Sequence, residues 1–228
     1  MRSAKVKVHW LVTRIGIYSH ETRTVELQRT VQSLRDAQLD VDHINLDTGV
    51  GSPIKNRLNA IATLKATYNG IDPVLILEDD VLAGRYVADW LEYLHYNVTH
   101  VVCMLPMKPE MYSESTEVAL RNLRTRKPTP SRLELNPRLH HWWGSQAMWI
   151  PPRIAYDMLQ DQRFYQTDHG IGPWDHAIRT FLMEFDEPLL MTFPAVFQHQ
   201  SPPSVRQRKN RRQRLAAIFD PNAKPPAP

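Results

Sequence analysis

The sequence contains a single cysteine, Cys103, among its 228 residues. One cysteine excludes both a disulfide within the chain and a zinc site built from several cysteines. Cys103 lies in the apolar run 101–105, so we expect a buried structural thiol there. The count is compatible with a reducing compartment.

Long apolar runs are also missing, since none approaches the roughly 20 residues that a membrane-spanning helix requires. The first apolar stretch is short and is interrupted by Lys7, His9 and Arg14. This pattern is typical of a core strand and not of a signal peptide. We therefore expect a cytoplasmic protein without a transmembrane segment.

Glycine is scarce, with 8 residues, whereas proline is plentiful, with 18. Many of the prolines lie in the second half, which predicts more loops there. Hydrophobic residues at 42% and charged residues at 23% are ordinary for a globular chain. The length suits one large α/β domain, or at most two small ones. We predict this domain at residues 1–205, followed at 206–228 by a basic and then proline-rich tail that is disordered from Pro221 onward.

Strand and helix patterns alternate along the chain. Short runs of β-branched and apolar residues predict strands, and apolar residues at helical spacing predict helices between them. We expect loops at 14–20 and 106–138. The order predicts right-handed crossovers and a largely parallel sheet. The predicted strands are 6–13, 41–46, 74–77, 101–105 and 189–193, and the predicted helices are 21–37, 54–68, 86–96, 152–159 and 174–184.

In the segment 74–81, four apolar residues lead directly into Glu78, Asp79 and Asp80. An unbroken apolar run is typical of a strand that is buried on both faces of a parallel sheet. The acids then lie at the carboxyl edge, where open α/β sheets bind ligands. Because buried, unpaired carboxylates are costly, a divalent cation with oxygen ligands is the simplest compensation. An acidic turn that faces water is the alternative.

Two later segments complete a pattern. Trp143–Ile150 combines a Gly-Ser pair with aromatic residues, and Pro194–His199 is a proline segment that ends in histidine. Together with the strand order and the Glu-Asp-Asp strand end, they resemble the GT-A glycosyltransferases. The closest resemblance is to the lipooligosaccharide-type family 25 enzymes and to small bacterial or phage glycosyltransferases. It covers most of residues 6–200 and implies a single-domain GT-A (Rossmann-like) α/β fold.

The resemblance implies a metal-dependent transfer of a sugar from a nucleotide-sugar donor, with a UDP-sugar expected, to a hydroxyl group. Mn²⁺ or Mg²⁺ neutralises the leaving diphosphate and takes carboxylate oxygens as ligands. We predict that Asp80 is a direct metal ligand, that Asp79 contacts ribose or metal, and that Glu78 holds structure. His199 resembles the late metal ligand of many GT-A enzymes, and an ordinary hydrogen-bonded histidine is the alternative.

Asp175 follows a glycine- and proline-containing turn at the start of a predicted helix. By resemblance to inverting GT-A enzymes, an acid at this place removes the proton of the acceptor hydroxyl, which it must reach at hydrogen-bond distance. A helix cap is the alternative role, and Asp168 is the alternative base. Whether the anomeric configuration is inverted or kept stays open.

Four further residues are predicted to bind the donor. Thr13 and Arg14, at the end of the first predicted strand, and Asp47, at the end of the second, lie where GT-A enzymes hold the nucleoside. Arg57 is placed to meet the diphosphate. An ordinary surface salt bridge is the alternative for each.

Aromatic and small residues of the second half are predicted to contact the acceptor. Adjacent side chains on a strand point to opposite faces, so one tryptophan of the pair at 142–143 is expected to face the cleft. The predicted acceptor-binding residues are His141, Trp142, Trp143, Gly144, Ser145 and Trp174.

The net charge of +4 is unevenly spread, with a basic run near the carboxyl end. A solvated helix face or tail is one interpretation, and a contact to nucleic acid or to a membrane surface is the sharper one. We favour a hydroxymethylated base in phage DNA as acceptor, flipped out of the duplex to be reached. A glycan or lipooligosaccharide acceptor and a non-catalytic nucleic-acid-binding module are the alternatives. The predicted nucleic-acid contacts are Arg206, Arg208, Lys209, Arg211 and Arg212.

Overall fold

The computed structural model describes residues 13–47, 53–70, 72–105, 129–133, 145–164, 174–200 and 219–226. In the first half, the elements are β1 (Arg14–His20), α1 (Thr24–Asp36), β2 (His43–Asp47), α2 (Pro53–Thr67), β3 (Val74–Glu78), β4 (Val81–Ala83), α3 (Val87–Asn97) and β5 (Val101–Cys103). In the second half, they are β6 (Thr129–Leu133), β7 (Ala147–Ile150), α4 (Pro152–Gln160), α5 (Trp174–Glu184), β8 (Leu189–Phe193) and β9 (Phe197–His199). None of the described helices has the length and hydropathy that a bilayer crossing requires.

Seven of these strands form one sheet in the order β2-β1-β3-β7-β5-β8-β6. The pairs β1–β2, β1–β3 and β5–β8 are parallel, whereas β7 and β6 run antiparallel to their neighbours. Five of the seven strands therefore point in one direction. The predicted α/β fold with a mostly parallel central sheet is confirmed.

Helices cover both faces of the sheet. Successive side chains of a strand point to opposite faces, and because those of the central strand β3 are all apolar, both of its faces must be buried. Val74 and Ile76 of β3 pack with α2, α4 and α5 on one face. Leu75 and Leu77 pack on the other face, together with residues of α1 and α3. All four side chains are at most 1% exposed, and burial of such a side chain contributes about 1.5–3 kcal/mol. The strand is buried on both faces, as its unbroken apolar run predicts.

The first described strand corrects one prediction. Residues 14–20 were expected to form a loop, yet they form β1, and residues 6–12 of the predicted strand lie outside the described part of the chain. Gly16 and the polar residues after it indicate a loop, but helix α2 packs closely against this strand. A Cβ at Gly16 would lie 2.9 Å from Leu64 Cδ1, so this glycine marks the close approach of α2 to the strand and not a turn.

Two further predictions are wrong for reasons of tertiary packing. Strand β6 lies within the stretch 106–138 that was expected to be a loop, where it pairs with β8. The tail was expected to be disordered from Pro221, but its described part packs on α3. Trp90 Nε1 donates to Ala223 O at 3.0 Å, and Arg85 N donates to Pro221 O at 2.8 Å. The other predicted elements agree with the observed bounds to within three residues.

Gly84 lies where the tail crosses the segment before β9, and its replacement is a sharp test of this packing. A Cβ there would lie 3.0 Å from Val196 O and 3.3 Å from Pro221 O, both backbone atoms. We expect Gly84→Ala to lower the free energy of unfolding by about 1–3 kcal/mol, because the backbone must move. Chemical denaturation measures this change. Gly16→Ala is the control with a smaller expected loss, since its Cβ would meet the movable ends of side chains. Equal losses would contradict the prediction.

Candidate active site

The carboxyl ends of three parallel strands meet at one edge of the sheet. Tyr18 of β1 pairs with Glu78 of β3, and His20 pairs with Asp47 of β2. The chain turns sharply after Glu78, so that Asp79 and Asp80 follow directly at this edge. Asp79 and Asp80 are each only 3% exposed. The acids are therefore enclosed by protein and do not form a turn that faces water.

Strand β9 brings His199 to these acids. The short strands β4 and β9 pair antiparallel, with Val81 opposite His199. His199 Nε2 lies 3.3 Å from Asp80 Oδ2, and the backbone N–H of Gln200 donates to Asp80 O at 2.7 Å. Residues 80 and 199, far apart in sequence and both predicted as metal ligands, are thus adjacent in the structure.

Glu78, Asp80 and His199 offer one ligand atom each, and these atoms lie within 4.8 Å of one another. Asp80 Oδ1 is buried and receives no hydrogen bond from the residues that the structure describes. A buried carboxylate oxygen without a donor needs a cation or a proton. The residues therefore fit a divalent cation such as Mn²⁺ or Mg²⁺, which takes carboxylate oxygens and keeps positions for phosphate and water.

Arg23, which directly precedes α1, caps the acidic pair from the other side. Its Nη1 lies 3.0 Å from Asp79 Oδ1, and its Nη2 lies 2.5 Å from Asp80 Oδ2. Asp79 also accepts a hydrogen bond from the Ser19 hydroxyl at 2.7 Å and a longer one, 3.3 Å, from the backbone N–H of His20. Asp79 is thereby more completely hydrogen-bonded than Asp80.

The two aspartates have raised pKa values despite these donors. Burial raises the pKa of Asp79 to about 6, against the opposing effects of Ser19 and Arg23. Burial and then the charge of Glu78 raise the pKa of Asp80, against His199 and Arg23. A nearby cation stabilises the ionised form of such buried carboxylates and so lowers their pKa.

Asp175 forms a second part of the site at the start of α5. It is 6% exposed, and its Oδ1 accepts the backbone N–H of Ser145 at 3.2 Å. Burial raises the pKa of Asp175 to about 6, while the Ser145 hydrogen bond and the charge of Arg57 act in the opposite direction. Strong perturbation of this kind is a feature of functional carboxylates, because a base works best when its pKa lies near the working pH.

Arg57 of α2 connects the two parts. Its Nη2 lies 2.6 Å from Glu78 Oε1 and also donates to the Tyr18 hydroxyl, and its guanidinium stacks over the Tyr18 ring with 4.0 Å to the centroid. The charges of Arg57 and Glu78 both influence Asp175. Arg57 is 6% exposed and pairs with Glu78 beside the acids, and its predicted contact to a diphosphate stays a prediction.

Three predicted residues lie away from this edge or in the core. Thr13 and Arg14 precede or begin β1, so they lie at its amino end, and Arg14 pairs there with Asp72 at 2.8 Å. Their assignment to the nucleoside is corrected, because it assumed a strand that ended at residue 13. Trp174 is 2% exposed and packs against Phe164 with ring centroids 5.8 Å apart, so its assignment to the acceptor is corrected to a core role.

The remaining predicted residues are placed only in part. Asp47 lies at the end of β2, at the same edge as the acids, and Ser145 contacts Asp175. Several predicted residues lie outside the described part of the chain: Asp168, His141, Trp142, Trp143, Gly144, Arg206, Arg208, Lys209, Arg211 and Arg212.

Sequence reasoning missed Ser19, Arg23 and the buried role of Arg57. The first two lie in or beside β1, whose residues were expected to form a loop. A correct placement of β1 would have brought its end next to the end of β3, because neighbouring parallel strands share their carboxyl edge. That signal was available in the alternation of Ile15 and Ile17 with smaller or polar residues.

The fold and the site define a class: an α/β protein whose mostly parallel sheet carries, at its carboxyl edge, an acid and histidine cluster suited to a cation. No protein-family model matches the chain, and no curated protein matches it.

Solved structures with a similar outline exist. A protein named as a glucose-1-phosphate thymidylyltransferase from Bacillus anthracis aligns over 82% of this chain and 89% of its own, at 7% identity and a TM-score of 0.49. The protein A197 from STIV aligns over 91% and 95%, at 11% identity and a TM-score of 0.44. A glycosyltransferase involved in the glycosylation of the major capsid of PBCV-1 aligns over 80% and 78%, at 8% identity and a TM-score of 0.41. Because these values are low, neither the fold nor the function of this protein is inferred from them.

Proposed function

We propose that this protein is a metal-dependent glycosyltransferase that moves a sugar from a nucleotide-sugar donor, with a UDP-sugar expected, to a hydroxyl group. One observation carries the proposal. Glu78, Asp80 and His199 converge at the carboxyl edge of the sheet, and a buried oxygen of Asp80 receives no hydrogen bond from the described residues. Such an edge is where open α/β folds bind nucleotides.

Asp80 and His199 would hold the cation, with Glu78 as a third available ligand. The cation supplies charge neutralisation for the departing diphosphate. Arg57 keeps Glu78 oriented through its 2.6 Å contact. Ser19 keeps Asp79 oriented through its 2.7 Å hydrogen bond to one carboxylate oxygen, and the other oxygen pairs with Arg23.

Asp175 is proposed as the base that takes the proton of the acceptor hydroxyl. Its pKa of about 6 leaves it mostly ionised at neutral pH but basic enough to accept a proton. The Ser145 N–H donates to one carboxylate oxygen and so holds the orientation of the Asp175 side chain. This role implies inversion of the anomeric configuration.

The acceptor is proposed from the sequence. The basic run near the carboxyl end favours a polyanion, and a hydroxymethylated base in phage DNA is the acceptor that we propose. Binding of duplex DNA should weaken steeply as salt rises, since several phosphate contacts are made. Absence of DNA binding at low salt would favour a glycan acceptor.

Stabilisation by donor components tests the proposed function directly. We expect Mn²⁺ with UDP to raise the melting temperature, since a ligand at 100 times its Kd adds about 2.7 kcal/mol to the free energy of unfolding. Differential scanning calorimetry measures the shift, with Mn²⁺ alone, UDP alone and Ca²⁺ with UDP as comparisons. If no nucleoside diphosphate binds with or without Mn²⁺, the enzyme proposal is wrong and the nucleic-acid-binding module is favoured.

A further inference from the structure

The guanidinium of Arg23 contacts both aspartates of the acidic site, and the proposed function assigns no role to this contact. It spans both aspartates, at 3.0 Å from Asp79 and 2.5 Å from Asp80. Its contact to Asp80 is made at Oδ2, the oxygen that also lies 3.3 Å from His199 Nε2. Arg23 therefore engages a carboxylate that belongs to the candidate metal-binding group.

The backbone of Arg23 belongs to the rim of the site and not to the core. Its N–H donates to His20 O at 2.9 Å in the turn after β1, and its C=O accepts the N–H of Leu27 in the first turn of α1. Only the side chain reaches inward, and it is 15% exposed, compared with 4% for each aspartate side chain. A long side chain anchored at the rim can turn outward without any change in the sheet.

Charge decides which position this side chain takes. Glu78, Asp79 and Asp80 carry three negative charges, against which Arg23 and Arg57 supply two positive ones. A divalent cation on Asp80 would replace the guanidinium as the partner of this carboxylate and would repel it at close range. A diphosphate that arrives with the cation offers the planar guanidinium two oxygens for a bidentate contact instead.

We propose that Arg23 is the built-in counter-cation of this site: it competes with a divalent cation for Asp80, and when displaced it binds the phosphate groups of the donor. This inference rests on the proposed function and deepens it. It assigns Arg23 to donor binding, and it predicts that the cation and the diphosphate bind cooperatively. In coupled binding of this kind, each ligand strengthens the other by the same factor.

Calorimetric titration of Arg23→Gln with Mn²⁺ alone tests the competition. We expect the variant to bind Mn²⁺ about tenfold more tightly than the parent protein, because the competing charge is gone, and tenfold corresponds to about 1.4 kcal/mol. Titration of the Mn²⁺-saturated proteins with UDP should show about tenfold weaker binding to the variant, because a charged contact to phosphate is lost. Arg29→Gln is the matched control, since it removes the same charge from an exposed position on α1.

Arg23→Lys is a second variant, which keeps the positive charge but removes the planar guanidinium and its bidentate contact. We expect it to bind Mn²⁺ about as the parent does and to bind UDP more weakly, and it serves if the glutamine variant fails to fold. Unchanged or weaker Mn²⁺ binding by Arg23→Gln, or unchanged UDP binding by both variants, overturns the role of Arg23 while the proposed function stands. Failure of every protein to bind Mn²⁺, both in the absence and in the presence of UDP, overturns both.

Discussion

Replacement of Asp80 by asparagine is expected to lower sugar transfer by at least about 10³-fold, because it removes the carboxylate around which the cation site is built. Asp80 supplies both a buried oxygen without a described donor and the contact to His199. Steady-state transfer assays with a nucleotide-sugar donor measure the loss. Mn²⁺ titration of the same variant should show weakened or absent binding, since the proposed ligand charge is gone.

Stability separates this effect from misfolding. The amide side chain of the variant would carry no charge, so the free protein should be at least as stable as the parent, whose buried Asp80 is costly to ionise. Asp36→Asn, at an exposed position on α1, is the control that should keep full activity. Transfer that survives Asp80→Asn at the parent rate would remove Asp80 from the metal site.

Replacement of Asp175 by asparagine is expected to lower transfer by about 10²–10⁴-fold, the usual contribution of a general base. The side chain keeps its shape, so donor binding with Mn²⁺ should be little changed. In the parent protein, transfer should rise with pH through about 6, because only the ionised Asp175 accepts a proton. The variant should have lost this rise. A pH–rate profile of both proteins measures it.

The same pKa gives a prediction for stability, whose sign is opposite to that of an ordinary salt-bridged acid. Between the unfolded pKa near 3.8 and the folded pKa of about 6, the folded protein holds a proton that the unfolded chain has released. The free energy of unfolding therefore falls as pH rises through this range, by about 3 kcal/mol in all for this group, of which about 2 kcal/mol is lost between pH 4 and pH 6. The Asp175→Asn variant should lack this contribution to the pH dependence and should be more stable than the parent at pH 7.

Urea denaturation at pH 4, 5, 6 and 7 without metal measures this dependence, and Glu92→Gln is the control at an exposed position on α3. Asp79 has the same folded pKa, so the variant should retain a reduced dependence. A variant that loses as much stability between pH 4 and 7 as the parent would contradict the raised pKa of Asp175. Unchanged transfer would move the base role to another residue, such as Asp168.

Strand β3 shows what a local sequence pattern can predict about burial and position in the fold. Its four apolar residues specify burial on both faces, and the acids that follow must then lie at a sheet edge, because the chain leaves the sheet there. The same logic failed for β1. Gly16 is typical of a loop in isolation, and only the close approach of Leu64 explains why a glycine lies inside this strand. Because of that error, Thr13 and Arg14 were predicted at the carboxyl end of the first strand, whereas they lie at the amino end of β1.

The surroundings of Trp174 and Arg57 were also not predictable from local sequence. Trp174 begins a helix beside Asp175, and nothing local distinguishes a ring that faces a cleft from one that packs on Phe164. Arg57 lies on a helix with ordinary polar neighbours, yet it forms a buried ion pair with Glu78 across 21 positions of sequence. Partner choice over such distances depends on how α2 packs on the sheet, which local patterns do not encode.

The sequence by itself determined the alternation of strands and helices, the burial of β3 and the presence of a carboxylate cluster at its end, because these depend on neighbouring residues and on periodicity. Only the tertiary structure decided which groups meet that cluster. Pairing of β4 with β9 brings His199 to Asp80, the end of β1 brings Ser19 and Arg23, and the packing of α2 and α5 brings Arg57 and Asp175. Contacts between distant residues follow from the packing of whole elements, and so they are set by the complete fold and not by any one segment.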